Sequence, residues 1–394
     1  MNEKTSATAS TNTDVDAPIV LLNKEKMGKK GRVYPDQRRK YRDAKSGKVV
    51  WQMTDTPGRI TRGQYATQNM ATPDGEWIVY GSDRDNVKEQ LNLFKMNLKT
   101  GESIQLTEST SDCQPRWAHI SPDGKEVYYI EDTNHFKAVN METLEERSLG
   151  RVENCTRPHQ LTVSPDNRYI ADALFLEKRK ENAFLTEPFG FLIRSAIVVI
   201  DTKTGKQHRL LDGNTPRTHV QYCPADANLL CYCYGGPWWY VQRLWLINAD
   251  GTNNRPIFMQ THFEGAGHEQ WGASGERIYV VCNGGRQPQG MWSVDVNSGE
   301  EKCVLAGMCT GHIATNPQED RFVGSEIYCD PSKGLWMAKK GSYKPELLCR
   351  AGKGGHQIPS GHGGSAHPRF LPDGKTVAFS SALTGTGELY LVEV

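Results

Sequence analysis

The stretch from Gly311 to Phe370 gathers four of the chain's eleven histidines, His312, His356, His362 and His367, within CTGHIATN and HQIPSGHGGSAHPRF. Glycine, proline and serine around them mark connections rather than apolar strand faces. A single histidine in a strand is usually a satisfied core residue. Histidines at the starts of successive repeats can instead converge in a closed repeat architecture, and converging neutral imidazoles suit a divalent transition ion. A second group lies in the connections ITRGQYATQNMA, DCQPRWAHIS, NCTRPHQLTV, NTPRTHVQYC and EGAGHEQWG, which supply Arg62, Arg116, Arg157, Arg217, His119, His159, His219 and His268. Guanidinium pairs bidentately with carboxylate, so a funnel lined in this way suits an anionic, hydroxylated ligand. Taken singly, each of these residues is as well explained by hydration of a central channel; their return in unit after unit favours a site. Trp238 and Trp239 follow a Gly-Gly-Pro break in GGPWWYVQRLWLINADGTN, where adjacent aromatics either stack on sugar rings or roof the core, and both readings stand.

These connections need a scaffold that brings them to one face. A turn recurs as TPDGEWIVYGS from Thr72, SPDGKEVYYIE from Ser121, SPDNRYIADAL from Ser164, CPADANLLCYC from Cys223, GASGERIYVVC from Gly272, NPQEDRFVGSE from Asn316 and LPDGKTVAFSS from Leu371. Each is followed by a further apolar strand, most of them ending in a D/N-x-x-T/S-G turn, as in LFKMNLKTGE and AIVVIDTKTGK. Alternation with a period of two, bounded by Gly, Asp, Asn and Pro, is the mark of strands joined by tight turns. A repeat of roughly 40 to 50 residues is that of four-stranded propeller blades. The expected fold is therefore all-β, a seven-bladed β-propeller over residues 33–394 preceded by a disordered polar tail, residues 1–32. The chain stops after the third strand of its last blade, LYLVEV, so the missing outer strand is expected from Lys48 to Thr54 (KVVWQMT), which follows YRDAKSG as other fourth strands follow their turns. The insertion from Glu177 to Arg194 in the third blade reads either as a solvated loop or as a basic, aromatic wall beside the binding face.

The charge balance excludes some functions. At 394 residues with a formal net charge of +1, no global field favours nucleic acid or a membrane surface. No apolar run reaches the length of a membrane span, and the first twenty residues lack the pattern of a secretion signal. Ten scattered cysteines without a repeated CxxC, several in strand-like runs, read as reduced, and the chain as cytoplasmic. There is no Walker loop, no GxGxxG after a strand and no GxSxG elbow. Oligomeric state leaves no mark in the sequence.

YRDAKSGKVVWQMT, the PDG turns, RLWLINADGTN followed by GHEQW, CTGHIATN, and AHPRFLPDGKTVAFSS together resemble the oligogalacturonate lyases, seven-bladed propeller polysaccharide lyases that cleave short pectic oligosaccharides in the bacterial cytoplasm. The resemblance runs over nearly the whole chain from about Tyr41. It implies an essential arginine at Arg243, a catalytic histidine base at His268, and a divalent cation, typically manganese, on three histidines and a glutamine. His312 matches the first metal histidine and His367 the last. Where the family has a Gln-x-x-His-x-His run this chain has His362-Gly-Gly-Ser365-Ala-His367, so His362 falls on the glutamine position and Ser365 on a histidine. The implied ligands are thus His312, His362 and His367, with Gln357, His356 or water completing the shell.

The implied reaction is β-elimination on an acidic oligosaccharide. The proton on C5 of a uronate is too weakly acidic to remove unless the carboxylate is neutralised, and a metal on neutral imidazoles plus an arginine fork supply that. His268 would take the proton, Arg243 would clamp the carboxylate, and Arg217, Arg157 and Arg116, with His219, Trp238 and Trp239, would hold neighbouring sugars. The alternatives are a lyase on a glucuronate- or rhamnose-containing oligosaccharide, which the altered metal run favours, and a non-catalytic propeller platform, which has no need for Arg243, His268 and the further loop histidines.

Overall fold

The structure is a computed structural model and describes residues 30–111, 113–158, 160–177, 193–236, 241–261, 263–307, 311–325, 334–342, 344–351 and 366–394. Asp or Asn opens most of the tight D/N-x-x-T/S-G turns, and its carboxylate or amide oxygen accepts the amides two and three residues on. Asp201 does so for Lys203 and Thr204, and Asp43 for Lys45 and Ser46, all at 2.9 Å. The next backbone position is left-handed and falls to glycine, as at Gly205 (φ 70°) and Gly47 (φ 72°). In the PDG turns the same demand is met by Gly75, by Asn167 and, in the eroded NPQED turn, by Glu319.

These turns fold the chain into seven antiparallel sheets, one per blade. The described residues contain no α-helix and one short 3₁₀ turn, Pro115–Trp117. Blade faces pack on both sides, which is why strands such as Trp77–Ser82 are buried at almost every position. Ile78 and Tyr80 face the last blade while Val79 between them faces the second, and seven apolar clusters fill the seven gaps between neighbouring blades.

The ring closes through the N-terminal strand. Val49–Gln52 pairs antiparallel with Glu388–Glu393, with Val50 opposite Val392 and Gln52 opposite Tyr390. The buried carboxylate of Glu388 then accepts from Thr54 Oγ1, from the Thr56 amide at 2.7 Å and from Thr56 Oγ1 at 3.0 Å, tying the closing strand to the entrance of blade 1. In blade 3 the inner position is split into Arg157–Pro158 and Thr162–Val163, both paired with Tyr169–Phe175, and two further features exceed the four-stranded reading. Arg39–Arg42 adds a strand outside Val49–Gln52, and Val33–Tyr34 adds one to the outer edge of blade 1 by pairing with Ser103–Gln105. The segment before the closing strand covers sheet edges that would otherwise be open to other chains. Of the eight described cysteines, seven are buried and Cys303 is half-buried. Residues 1–29, and 178–192 of the third-blade insertion, lie outside the described residues.

Candidate active site

The inner strands of blades 4 and 5, Arg217–Cys223 and Gly265–Trp271, share a device. Their registers slip between Thr218 and Gln221 and between Gly267 and Gln270, and the histidine inside each bulge has a left-handed backbone, His219 at φ 51° and His268 at φ 55°. His367 (φ 44°) does the same just before the inner strand Arg369–Phe370 of blade 7. A β-carbon in this region costs about 1–2 kcal/mol, and a bulge re-aims its side chain. Here the strand ladders hold three imidazoles toward one place on the axis.

The rings of His268 and His312 lie 4.4 Å apart, as do those of His312 and His367, each pair edge to face. At their centre is Tyr65 of blade 1. Its hydroxyl is 3.0 Å from His312 Nε2 and 3.2 Å from His219 Nε2, and its ring packs 4.9 Å from that of His367. Burial first, and then the neighbouring His367 and His268 for His312 and the Arg243 cation for His219, hold both well below the ordinary imidazole pKa, so both are neutral. His268 is pulled down to about 4, first by burial, with the Arg243 cation adding to the fall and the Glu269 carboxylate opposing it.

Arg243 directs Nε and Nη2 to Glu269 and Nη1 to the Tyr234 carbonyl at 3.4 Å. The pair is fully enclosed: the side chain of Glu269 is 0% exposed and that of Arg243 4%. Burial opposes each charge, and mutual attraction more than offsets it, raising the pKa of the arginine and lowering that of the carboxylate. His219, Cys233 and Glu269 offer ligand atoms within 4.8 Å of one another. Arg243 already neutralises Glu269, and burial pushes the Cys233 thiol well above its ordinary pKa, so the carboxylate of this trio is engaged in the ion pair.

The arginines divide. Arg116 lies 5.1 Å over the Tyr65 ring and 4.8 Å over that of Trp117. Its pKa is lowered to about 10, mainly by burial, with repulsion from Arg62 and Arg157 contributing, so these three cations share one side of the site. Arg217 is spent differently: Nη1 reaches the Ser195 carbonyl at 3.2 Å and those of Gly213 and Thr215 at 3.5 Å, securing blade 4 to blade 3. Trp238, Trp239, His362, Gln357, His356 and His159 lie outside the described residues. For a divalent ion, the described donors that fit are His312 and His367, adjacent imidazoles, the first of them neutral.

Glu269 and Tyr65 were missed as functional residues. Glu269 adjoins His268 in GHEQW, where an acidic residue in an apolar strand was the available signal. Tyr65 sits in GQYATQ, just after the inner strand Thr61–Arg62 of blade 1, and belongs to none of the repeated strings. That segment crosses the axis: the Tyr65 amide donates to the Arg116 carbonyl at 2.9 Å, and the Ala66 carbonyl accepts from Arg369 Nη1 at 2.7 Å and Gln270 Nε2 at 3.4 Å. It forms the floor of the site.

Fold and site together define a seven-bladed propeller with a buried imidazole and guanidinium centre on its axis. The sequence model of the oligogalacturonate lyases matches residues 28–333. An oligogalacturonate lyase of Dickeya dadantii is 26% identical over 388 residues, 90% of this chain and 95% of its own length; an oligogalacturonide lyase of Pectobacterium atrosepticum is 26% identical over 401 residues, 93% and 98%. Among solved structures, an oligogalacturonate lyase of Vibrio parahaemolyticus superimposes with a TM-score of 0.83 at 22% identity, covering 93% of this chain and 99% of its own. An oligogalacturonate lyase in complex with manganese superimposes with a TM-score of 0.80 at 24% identity, covering 93% and 98%. The chain belongs to the oligogalacturonate lyase family.

Proposed function

We propose that this protein cleaves short oligogalacturonates by β-elimination, leaving a 4,5-unsaturated uronate. The convergence of His268 on His312 and His367, with ring centroids 4.4 Å apart in each successive pair, is the observation that carries this reading. A neutral His268 accepts the C5 proton; the C–H electrons form the C4–C5 double bond as the C4–O bond breaks, and the departing oxygen takes a proton from water. A histidine at about 4 is a weak base, but the bound uronate, an anion beside it, raises its pKa toward the working pH. Arg243, whose Nε and Nη2 are directed at Glu269 and not at a substrate carboxylate as expected of a clamp, acts through its ion pair beside His268. Arg116 with Arg62 and Arg157 takes a neighbouring carboxylate, while Arg217 remains structural. His312 and His367 are the described candidates to hold a divalent ion, manganese by analogy with the solved relative, which when bound would neutralise the carboxylate as a Lewis acid. We further propose that residues 33–394 form the catalytic propeller and that the protein acts in the cytoplasm.

Digestion of short oligogalacturonates followed by near-ultraviolet absorbance tests the reaction, since elimination creates a conjugated double bond and hydrolysis does not. His268→Ala is expected to lower kcat by about 10² to 10⁴ with little change in KM. His312→Ala is expected to lose bound metal on elemental analysis. Saturated products, or full activity of His268→Ala, would remove the mechanism. Release of unsaturated product only from glucuronate-containing oligosaccharides would favour the alternative substrate, to which the His362 and Ser365 departures point.

A further inference from the structure

Below the floor, on the side of the blade turns, the axis widens into a chamber of about 420 Å³. The first turn residues of five blades, Pro122, Pro165, Pro224, Pro317 and Pro372, ring its mouth. Its deep end is polar. Arg369 lies there, half-buried, and the one hydrogen bond of its guanidinium to the described residues is from Nη1 to the Ala66 carbonyl of the floor. A guanidinium carries five N–H donors and stays charged, and a buried cation is costly without a counter-charge. Among the described residues no acidic side chain lines the chamber, and Arg369 forms no ion pair with any described carboxylate. Two more polar atoms near the floor are buried without a hydrogen-bond partner among the described residues: His119 Nδ1 and Gln270 Oε1. Burial, and then the Arg369 cation, bring His119 down to about 3, so it stands as a neutral imidazole beside the guanidinium.

We propose that this chamber is a second binding site, separate from the catalytic centre, for a small monocarboxylate whose anionic end meets Arg369 and whose apolar body lies between the prolines at the mouth. One unpaired guanidinium matches one carboxylate, and its fork geometry favours a carboxylate over a spherical anion. The neutral imidazole of His119 stands beside the same group, and the volume falls within the range of small-molecule pockets, about 300–1,000 Å³. The proline ring and Trp271 give the body of the ligand apolar contact.

The test is calorimetric titration of the full-length protein with benzoate, with benzyl alcohol as the uncharged control. Benzoate is expected to bind to the wild type and equally to Arg243→Ala, which disables the catalytic centre above the floor. Arg369→Gln is expected to weaken binding at least tenfold, and Arg369→Lys less. Thr315→Phe, which fills part of the chamber, is expected to abolish binding and decides the matter if Arg369→Gln does not fold. No benzoate binding by the folded wild type, equal binding of benzyl alcohol, unchanged affinity in Arg369→Gln or Thr315→Phe, or loss of binding in Arg243→Ala would overturn the proposal.

Discussion

Replacing Glu269 by Gln keeps the shape of the side chain and one acceptor oxygen but removes the charge that balances Arg243. Both groups are enclosed, so the variant leaves a cation in a site from which water is excluded. Removing one partner of a buried pair costs about 3–5 kcal/mol. With an unfolding entropy of roughly 2.1 cal/mol/K per residue over about 360 residues, one kcal/mol corresponds to about 1.3 °C, so melting should fall by about 4–7 °C. Activity should fall further than stability implies, because Arg243 loses the anchor at Nε and Nη2 and sits close enough to His268 to shift its basicity. The double variant Glu269→Gln with Arg243→Met separates the two effects. Removing both charges relieves the desolvation penalty, so melting should recover most of the loss while activity stays low. The measurements are calorimetric melting and near-ultraviolet detection of the unsaturated product. A single variant melting within one degree or so of wild type, or a double variant less stable than the single, would refute the view that Glu269 exists to hold a charged Arg243.

Tyr65→Phe removes hydroxyl contacts to His219 and His312; it should cost about 0.5–1.5 kcal/mol per hydrogen bond and lower kcat about tenfold, read by melting and steady-state kinetics. Deletion through Thr54 strips the closing strand and both N-terminal edge strands and should give aggregated protein by size-exclusion chromatography, whereas deletion of the first twenty residues should leave the elution of the folded protein unchanged. Burial alone would raise Asp43, but the amides of Ser46, Arg350 and Lys45 and the Arg350 side chain outweigh it and hold the pKa down to about 2. A depressed carboxylate stabilises the fold above its unfolded pKa of about 3.9 and loses that contribution as pH falls through the folded value. The stability gap between wild type and Asp43→Asn should therefore be constant above about pH 5 and close toward pH 2 in denaturant titrations, and a gap that widens in acid would contradict this.

Turn chemistry and two-residue periodicity made the blades legible. A left-handed position after Asp or Asn admits few residues, so the turns recur as strings, and even the closing strand could be assigned because Asp43 repeats the bond pattern of Asp201. His312 and His367 group in the sequence with His356 and His362, and His268 with the arginine- and histidine-bearing connections, because side chains at the starts of successive repeats can meet on the axis; their separate roles come from the family resemblance. The role of Arg217 was not: an arginine at the start of an inner strand looks alike whether its donors face the axis or the carbonyls of the preceding blade. Tyr65 and Glu269 were hidden for a related reason. Neither belongs to a repeated motif, and each acquires its role from atoms far along the chain, His219 and His312 for the tyrosine and Arg243 for the glutamate. The sequence by itself determined the blade, the number of blades and the way they close, because these follow from local backbone preferences repeated seven times. Only the tertiary structure decided which polar groups share a charge environment, because electrostatic pairing depends on through-space distance and on the exclusion of water, and neither is encoded at any single position.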